Sequence, residues 1–284
     1  MIFEHEIPSG SRLYFGKSAK LKREIENSAS DVLATLGFEE IVTPIFSYHQ
    51  HESFEKSNTL VRLNDESNHE VTLRADSTAD VVRIVTKRLG RSMESKKWFY
   101  IQPTVAYPTK EQYQIGAEII DGSFEEVAQI TVALLKKLDI KPIIQISNIR
   151  IPHLLNEKYG ISLEVLKSMH IEQILCVNLP WMESLVSINS VDDLKDLSVF
   201  PKDIRVELEK IKVAAQKVND TTMVISPLFY AKLRYYDSLT FRMFEGNALL
   251  ATGGIYTIDN VEAAGFALYT DECITYKMEK MSRE

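Results

Sequence analysis

Residues 98–105 read Trp-Phe-Tyr-Ile-Gln-Pro-Thr-Val, and residues 113–120 read Tyr-Gln-Ile-Gly-Ala-Glu-Ile-Ile. Aromatic and β-branched residues are frequent in both runs, which is typical of β-strands. The stretch between them, 106–111, is short and largely polar, as expected of a hairpin connection. The pattern therefore predicts two neighbouring strands joined by a hairpin.

The residues before this hairpin predict two further helix and strand pairs. Apolar residues recur at helical spacing in the first of these helices, and Gly37 follows it as a stop signal. Asp76 or Ser77 is placed to cap the second helix. The predicted bounds are 18–36 for the first helix, 38–44 for the first strand, 70–74 for the second strand and 78–89 for the second helix.

The residues after the hairpin predict an α+β fold. Ser123 and Glu126 form a capping box, so a helix is expected to continue to about Leu138. The stretch 151–220 is interpreted as a small helical insertion. Further strands are predicted at 141–149, 221–226, 235–244 and 248–256. Because strands and helices do not alternate strictly, we expect a mixed or antiparallel sheet flanked by helices, in a single domain over residues 1–284.

The composition argues against several classes of protein. The chain has 284 residues, a formal net charge of -7 and a pI near 5.5, whereas nucleic-acid binding calls for a concentrated basic surface. The sequence shows no membrane-spanning run and no secretory signal, so we expect a cytoplasmic protein that binds neither nucleic acid nor membrane. Cys176 and Cys273 are expected to be buried thiols, and no metal or cofactor is expected.

Three stretches, in order and at plausible spacing, resemble the class II histidyl-tRNA synthetase family. Residues 73–79 are similar to the family's L-R-P-D/E-x-T-A segment, and 98–118 resemble the second class II signature with its Q-x-G-x-E ending. Residues 235–241 resemble the histidine-binding Y-Y strand, 252–256 the G-G-R-Y-D loop, and 265–267 the start of the third signature. The resemblance covers nearly the whole chain and implies a class II synthetase-like core.

By the same resemblance, three arginines that hold ATP in the family are absent. Their positions are occupied by Ala106, Ala231 and Glu272. Adenylyl transfer needs preorganised positive charge at the phosphates, and a charge pair about 4 Å apart in a partly buried site contributes roughly 4 kcal/mol. We therefore expect a chain that does not activate histidine. The alternative is that Arg234 or Arg242 substitutes for a missing arginine.

The amino-acid pocket, in contrast, keeps its polar residues. Carried over from the family's motifs, the candidate histidine-binding residues are Asp76, Thr78, Gln114, Glu118 and Tyr236. Carboxylates accept hydrogen bonds from an imidazole or an α-amino group, and hydroxyls fix orientation. The alternative is that these residues are relics of the family, with Asp76 and Thr78 only capping a helix.

The resemblance also implies a function. The chain is most similar to the regulatory subunits of ATP phosphoribosyltransferase, which keep the synthetase core without its ATP-binding arginines and its anticodon-binding domain. This implies a non-catalytic homodimer, with its contact around the first helix and Pro44. It would join the short-form catalytic subunit, a glycosyltransferase that holds the active site, in the first step of histidine biosynthesis, with histidine as effector. The alternatives are a free-standing histidine-binding sensor and a truncated histidine-activating enzyme.

Four weaker patterns have both a structural and a functional interpretation. His49 and His51 lie on one side of an extended segment, as a metal-binding pair would, but an exposed loop is favoured. Gly253-Gly254 is similar to a phosphate loop, but a close approach of strands is favoured. The basic stretch 87–97 is interpreted as a solvated surface, and the aromatic residues of 235–244 as core rather than a base-stacking platform.

Overall fold

The computed structural model describes residues 7–48, 50, 57–90, 94–218, 221–231, 233 and 235–283. The described strands are β1 Glu39–Glu40, β2 Phe46–Ser47, β3 Arg62–Asn64, β4 Glu70–Leu73, β5 Lys97–Ala106, β6 Lys110–Ile120, β7 Ile143–Asn148, β8 Thr222–Ile225, β9 Tyr236–Glu245, β10 Ala248–Ile258 and β11 Val261–Tyr269. The described α-helices are α1 Gly16–Thr35, α2 Thr78–Arg83, α3 Phe124–Lys137, α4 Arg150–Tyr159, α5 Leu163–Ser168, α6 Ile171–Leu175, α7 Met182–Ser187, α8 Lys202–Lys217 and α9 Thr270–Arg283.

These strands form two sheets. In the described part of the chain, eight strands pair in the order β1-β5-β6-β11-β10-β9-β7-β8, and three short strands pair in the order β2-β4-β3. Strands β1 and β5 are parallel, as are β7 and β8, whereas every other described pair is antiparallel. The predicted mixed sheet flanked by helices is confirmed.

The hairpin of β5 and β6 lies within the large sheet, as predicted. Its register runs from Lys97 opposite Ile119 to Ala106 opposite Lys110, so the turn is only 107–109 and is tighter than the predicted connection. Helix α3 begins where the capping pattern placed it, since the Ser123 hydroxyl accepts a hydrogen bond from the Glu126 amide at 3.2 Å.

One face of the large sheet is covered by α1, α3 and α9. Ile115, Ala117 and Ile119 of β6 belong to the same buried apolar cluster as Leu33 of α1 and Leu134 of α3. Because side chains alternate along a strand, Gln114, Gly116 and Glu118 must point to the opposite face. That opposite face carries the cavity described below.

The second predicted helix is not uniform. The α-helical hydrogen bonding of α2 ends at Arg83, and 84–89 continue with π-helical bonding. Five of the six residues from Val81 to Thr86 are β-branched, which disfavours a regular α-helix, and the Thr86 hydroxyl bonds the Val82 carbonyl at 2.7 Å. Strand β11 and helix α9 were not predicted as elements.

The two cysteines differ in their exposure to solvent. Cys176, expected to be buried, is exposed, because it follows the end of α6 and points to solvent. Cys273 is buried as expected, and burial raises the pKa of its thiol to about 12. Among the described helices, none combines the length and the apolar composition that a bilayer crossing requires.

Candidate ligand-binding site

A cavity of about 720 Å³ lies on the sheet face opposite α1, α3 and α9. It follows β6, whose alternate residues Lys110, Gln112 and Gln114 line it. We call one end the carboxylate end, lined by Asp76, Thr78, Tyr235, Tyr236 and Tyr256. We call the other the hairpin end, lined by Thr104, Ala106, Tyr107, Lys110 and Gln112.

Glu118 lies behind the wall of the carboxylate end. Its carboxylate accepts hydrogen bonds from the hydroxyls of Thr78 at 2.8 Å, Tyr100 at 3.1 Å and Tyr256, and the residue is fully buried. Gly265 lines the cavity in front of it, and a β-carbon there would overlap the Glu118 carboxylate. Of the five candidate residues, Glu118 is the one outside the described cavity lining. Its contact with the cavity is indirect, through the hydroxyls of Thr78 and Tyr256 that it holds.

Asp76 faces the cavity and also caps the helix that follows it. One carboxylate oxygen accepts a hydrogen bond from the Tyr235 hydroxyl at 3.1 Å, and the other accepts one from the Ala79 amide at 3.2 Å. Helix capping and ligand binding by Asp76 are thus compatible, because the capping bond uses one carboxylate oxygen only. Thr78 is not the cap, since its hydroxyl is directed at Glu118.

Burial governs the charge of the two carboxyl groups. Desolvation raises the pKa of Glu118 to about 8, against the opposing effect of its hydroxyl donors. Desolvation likewise raises the pKa of Asp76 to about 6, with the Ala79 amide opposing it. At neutral pH the pair therefore carries about one negative charge, which suits a ligand with one cationic or N–H donor group.

Three tyrosine rings pack against one another around the carboxylate end, with Tyr256 edge to face against the other two. The Tyr235 and Tyr256 rings are 5.3 Å apart between centroids, and Tyr236 lies 5.0 Å from Tyr235 and 6.2 Å from Tyr256. Tyr236 was predicted, whereas Tyr235, Tyr256 and Tyr100 were missed. The tyrosine at the end of the segment 252–256 was the available signal for Tyr256, since it matches the tyrosine of the family's G-G-R-Y-D loop.

Gln114 lies between the two ends. Its side chain lines the cavity, and its amide nitrogen donates to the Ser77 hydroxyl oxygen at 3.4 Å. The Gln102 amide donates to the same oxygen at 3.0 Å. The structure therefore brings Asp76, Thr78, Gln114 and Tyr236 to one cavity wall, with Glu118 directly behind it.

The described lining of the cavity contains no arginine that could hold the phosphates of ATP. Ala106 lines the cavity, whereas Ala231 and Glu272 lie outside the described lining. Among the described lining residues, the cationic ones are Lys110 and Lys167, and both are exposed. Exposed lysines give a weaker hold on phosphate than buried guanidinium groups.

Arg242, one of the two proposed substitute arginines, does not supply positive charge to the cavity lining. Arg242 stacks on Phe229, 3.8 Å from the ring centroid, and donates to the side-chain amide oxygen of Gln145, outside the described cavity lining. Arg234 lies outside the described residues, as do His49 and His51, the candidate metal-binding pair.

The glycine pair and the basic stretch follow their structural interpretations, whereas Tyr235 and Tyr236 of the aromatic run line the cavity. A β-carbon on Gly253 would collide with Phe241 and the Gly265 carbonyl, so the glycine pair permits a close approach of strands. Lys87, Lys96 and Lys97 form ion pairs with carboxylates of Asp259, Asp121 and Glu126. Phe241 is buried in the core. Arg91 of the basic stretch lies outside the described residues.

Comparison with known proteins places this geometry in a family. The histidyl-tRNA synthetase family model matches residues 14–175. The ATP phosphoribosyltransferase regulatory subunit of Wolinella succinogenes is 46% identical over 276 residues, which cover 96% of each chain. That of Helicobacter hepaticus is 42% identical and covers 96% of this chain and 98% of its own.

A solved structure agrees with the fold. A Bacillus halodurans protein described as an ATP phosphoribosyltransferase regulatory subunit/histidyl-tRNA synthetase superposes with a TM-score of 0.85 over 97% of this chain and 84% of its own, at 19% identity. The sequence motifs, the mixed sheet and the two highly similar relatives agree. The chain belongs to the ATP phosphoribosyltransferase regulatory subunit family, which is built on the histidyl-tRNA synthetase fold.

Proposed function

We propose that this chain is the non-catalytic regulatory subunit of an ATP phosphoribosyltransferase, and that it binds histidine at the carboxylate end of its cavity. The single observation that carries the assignment is the 46% identity to a protein of that name over nearly the full length of both chains. The active site would lie on the short-form catalytic subunit, a glycosyltransferase. The complex would act in the cytoplasm, in the first step of histidine biosynthesis.

The charge distribution of the cavity supports a regulatory role over histidine activation. The carboxylate end offers Asp76 and three tyrosine rings to a small ligand with cationic or N–H donor groups. The hairpin end, with Ala106 in place of an arginine, offers little to a triphosphate. A histidine that binds here without ATP would be a signal and not a substrate.

Feedback would follow from a preference of histidine for one state of the complex. A ligand shifts a conformational equilibrium only by its difference in affinity for the two states. The proposal therefore requires that the catalytic subunit change either the carboxylate end or access to it. By the same linkage, the catalytic subunit would alter the affinity of this chain for histidine.

A homodimer is part of the proposal, with its contact around the first helix and Pro44, which large exposed apolar side chains flank. Val42 is 77% exposed and Phe46 is 57% exposed, and Ile45, Tyr48 and Leu63 are exposed beside them. Large apolar side chains that cluster on a surface mark interaction sites. We place the twofold contact there.

The proposal also treats residues 1–284 as one domain, with a helical insertion at 151–220.

The decisive experiment is reconstitution with the short-form catalytic subunit. Product formation from ATP and phosphoribosyl pyrophosphate would be assayed for the catalytic subunit alone, with this chain, and with this chain plus histidine. We expect activity to depend on this chain and to fall when histidine is added. The control is this chain alone, which should give no histidine-dependent exchange of pyrophosphate into ATP.

Two results would contradict the proposal. Exchange of pyrophosphate at a synthetase-like rate by this chain alone would identify a histidine-activating enzyme. Full activity of the catalytic subunit without this chain, together with no change on adding it, would identify a free-standing sensor instead.

A further inference from the structure

Gln50, the residue between His49 and His51, is fully buried. Its amide oxygen accepts hydrogen bonds from the backbone amides of Ala75 at 3.0 Å and Asp76 at 2.8 Å. Its amide nitrogen donates to the Asp76 carbonyl at 2.8 Å and to an Asp80 carboxylate oxygen at 2.8 Å. One side chain thus holds three residues of the segment that carries the cavity carboxylate.

The four bonds use the full capacity of a side-chain amide. An amide has two N–H donors and one oxygen that accepts two hydrogen bonds, and each is engaged here. The orientation is fixed, because two backbone N–H groups face the oxygen while a carbonyl and a carboxylate face the nitrogen. A glutamate of the same shape has no donor, so it cannot make the second pair of bonds.

These bonds determine the position of Asp76. Gln50 holds both the N–H and the C=O of Asp76, while the Asp76 carboxylate is held by Tyr235 and the Ala79 amide. Gln50 does not itself line the cavity among the described residues. It therefore reaches a ligand only through the residues that it holds, of which Ala75 and Asp76 line the cavity.

We infer that Gln50 is a positioning residue of the ligand site, which sets the Asp76 carboxylate for a cationic or N–H donor group of the ligand. The inference rests on the proposed function, because it takes histidine as the ligand.

The test measures the histidine affinity of the full chain by calorimetry, with the thermal midpoint of each variant recorded beside it. In Gln50→Glu, a carboxylate faces the Asp80 carboxylate and the Asp76 carbonyl, and both donated bonds are lost. We expect the Kd for histidine to rise by about tenfold or more, since an unsatisfied buried charged group is costly.

A second substitution, at Asp80, should restore part of the lost affinity for histidine. Asp80 accepts from the Ser47 hydroxyl through one oxygen and from Gln50 through the other. In Gln50→Glu/Asp80→Asn, the new amide nitrogen donates to the new carboxylate, so the bond returns with its donor and acceptor exchanged. We expect the double variant to recover about threefold or more of the lost affinity.

The matched control is Asn148→Asp. Asn148 is also fully buried, donates to the Glu207 carboxylate at 2.8 Å and accepts from the Arg150 amide at 3.0 Å, away from the described cavity lining. This change creates the same conflict of two carboxylates. It should lower the thermal midpoint while leaving the Kd for histidine within about twofold of the parent.

The outcomes separate the two claims. If the parent binds histidine and Gln50→Glu binds it equally well, the inference is wrong and the proposed function stands. An equal loss of affinity in Asn148→Asp would also overturn the inference, because general destabilisation would explain both variants. If the parent does not bind histidine, the proposed binding function and the inference fall together.

Discussion

The two ends of the cavity differ in how firmly their polar groups are held. At the carboxylate end, Asp76 and Glu118 are buried and each accepts hydrogen bonds from named neighbours at both oxygens. At the hairpin end, Tyr107 is 62% exposed, Lys110 is exposed, and Ala106 has no polar side chain at all. A preorganised site costs less to order on binding, so the carboxylate end is better prepared for a ligand than the hairpin end.

This contrast suggests which part of an ancestral reaction site is still used. Buried carboxylates destabilise a protein unless they are well hydrogen-bonded, and their retention needs a reason. Amino-acid recognition would supply that reason at the carboxylate end. In the part of the chain that the structure describes, no comparable set of hydrogen bonds holds a charged group at the hairpin end. Substitutions at the two ends should therefore differ in their effects on the free energy of unfolding and on the affinity for histidine.

The largest expected difference between the two ends of the cavity is in the free energy of unfolding, when one non-hydrogen atom is added to a side chain at each end. In Gly265→Ala, the new β-carbon overlaps the Glu118 carboxylate and lies 2.8 Å from the Ala117 carbonyl oxygen. Because three hydroxyls hold that carboxylate, it cannot move aside without losing them, and we expect a loss of about 2 to 3 kcal/mol in the free energy of unfolding. Urea denaturation measures it.

The control for this prediction is Ala106→Ser at the hairpin end. Ala106 is only partly buried and lines an open part of the cavity, so its unfolding free energy should stay within about 0.5 kcal/mol of the parent. Equal losses in the two variants would show that the ends are packed alike.

The second prediction concerns histidine affinity. Asp76→Asn removes the negative charge at the carboxylate end but keeps the shape of the side chain. Since hydrogen bonds to charged groups contribute about 1.5 to 3 kcal/mol, the Kd for histidine should rise by about tenfold to a hundredfold, measured by calorimetry. The matched change at the hairpin end, Lys110→Gln, should leave the Kd almost unchanged. An unaltered Kd in Asp76→Asn would indicate that the carboxylate is a relic.

The third prediction is a dependence of stability on pH. Burial raises the pKa of Glu118 from 4.5 to about 8, so the folded chain holds a proton that the unfolded chain releases. The stabilising contribution of this group is complete below pH 4.5 and is lost as the pH rises toward 8, with a slope of at most about 1.4 kcal/mol per pH unit. Asp76 contributes in the same direction between pH 3.8 and about 6.

The slope is isolated by comparison with Glu118→Gln, which cannot release the proton. Unfolding free energies at pH 6, 7 and 8 should fall more steeply in the parent than in this variant. Lys110→Gln, at the hairpin end, should keep the slope of the parent. Parallel curves for the parent and Glu118→Gln would mean that Glu118 is already ionised at pH 6.

The smallest effect is expected from restoring one arginine. Ala106→Arg returns a guanidinium to the hairpin end, but Ala231 and Glu272 are unchanged. One cation at an open site does not hold a triphosphate, so histidine-dependent pyrophosphate exchange should remain undetectable and the unfolding free energy should change by no more than about 0.5 kcal/mol. The appearance of exchange would show that the hairpin end needs only one residue to act on ATP.

The sequence predicted those parts of the fold whose signals are local. The Ser123 cap of α3, the hairpin of β5 and β6 and the Gly37 stop after α1 each depend on a few adjacent residues. Strand β11 escaped prediction because its residues 263–267 are Ala-Ala-Gly-Phe-Ala, which lack the branched side chains typical of a strand. Gly265 is needed there because a β-carbon would overlap the carboxylate of Glu118, its partner on the neighbouring strand β6.

The candidate site was predicted from motifs in outline but not in arrangement. Asp76, Thr78, Gln114 and Tyr236 line one wall, but no local pattern indicates that Glu118 lies behind it. That position depends on Gly265, which is distant in sequence and adjacent in the sheet. The role of Gln50 could not be predicted from the sequence either, because it depends on the hydrogen-bond partners that the fold brings to the side chain.

The contrast between the two cysteines provides a ready means of following complex formation. Cys176 is exposed after α6, whereas burial keeps the Cys273 thiol protonated at neutral pH and therefore unreactive. A maleimide dye would accordingly attach to the natural chain at one position, with no engineered cysteine. Its emission would then report whether the helical region around α6 meets the catalytic subunit, at concentrations far below those that crystallisation demands.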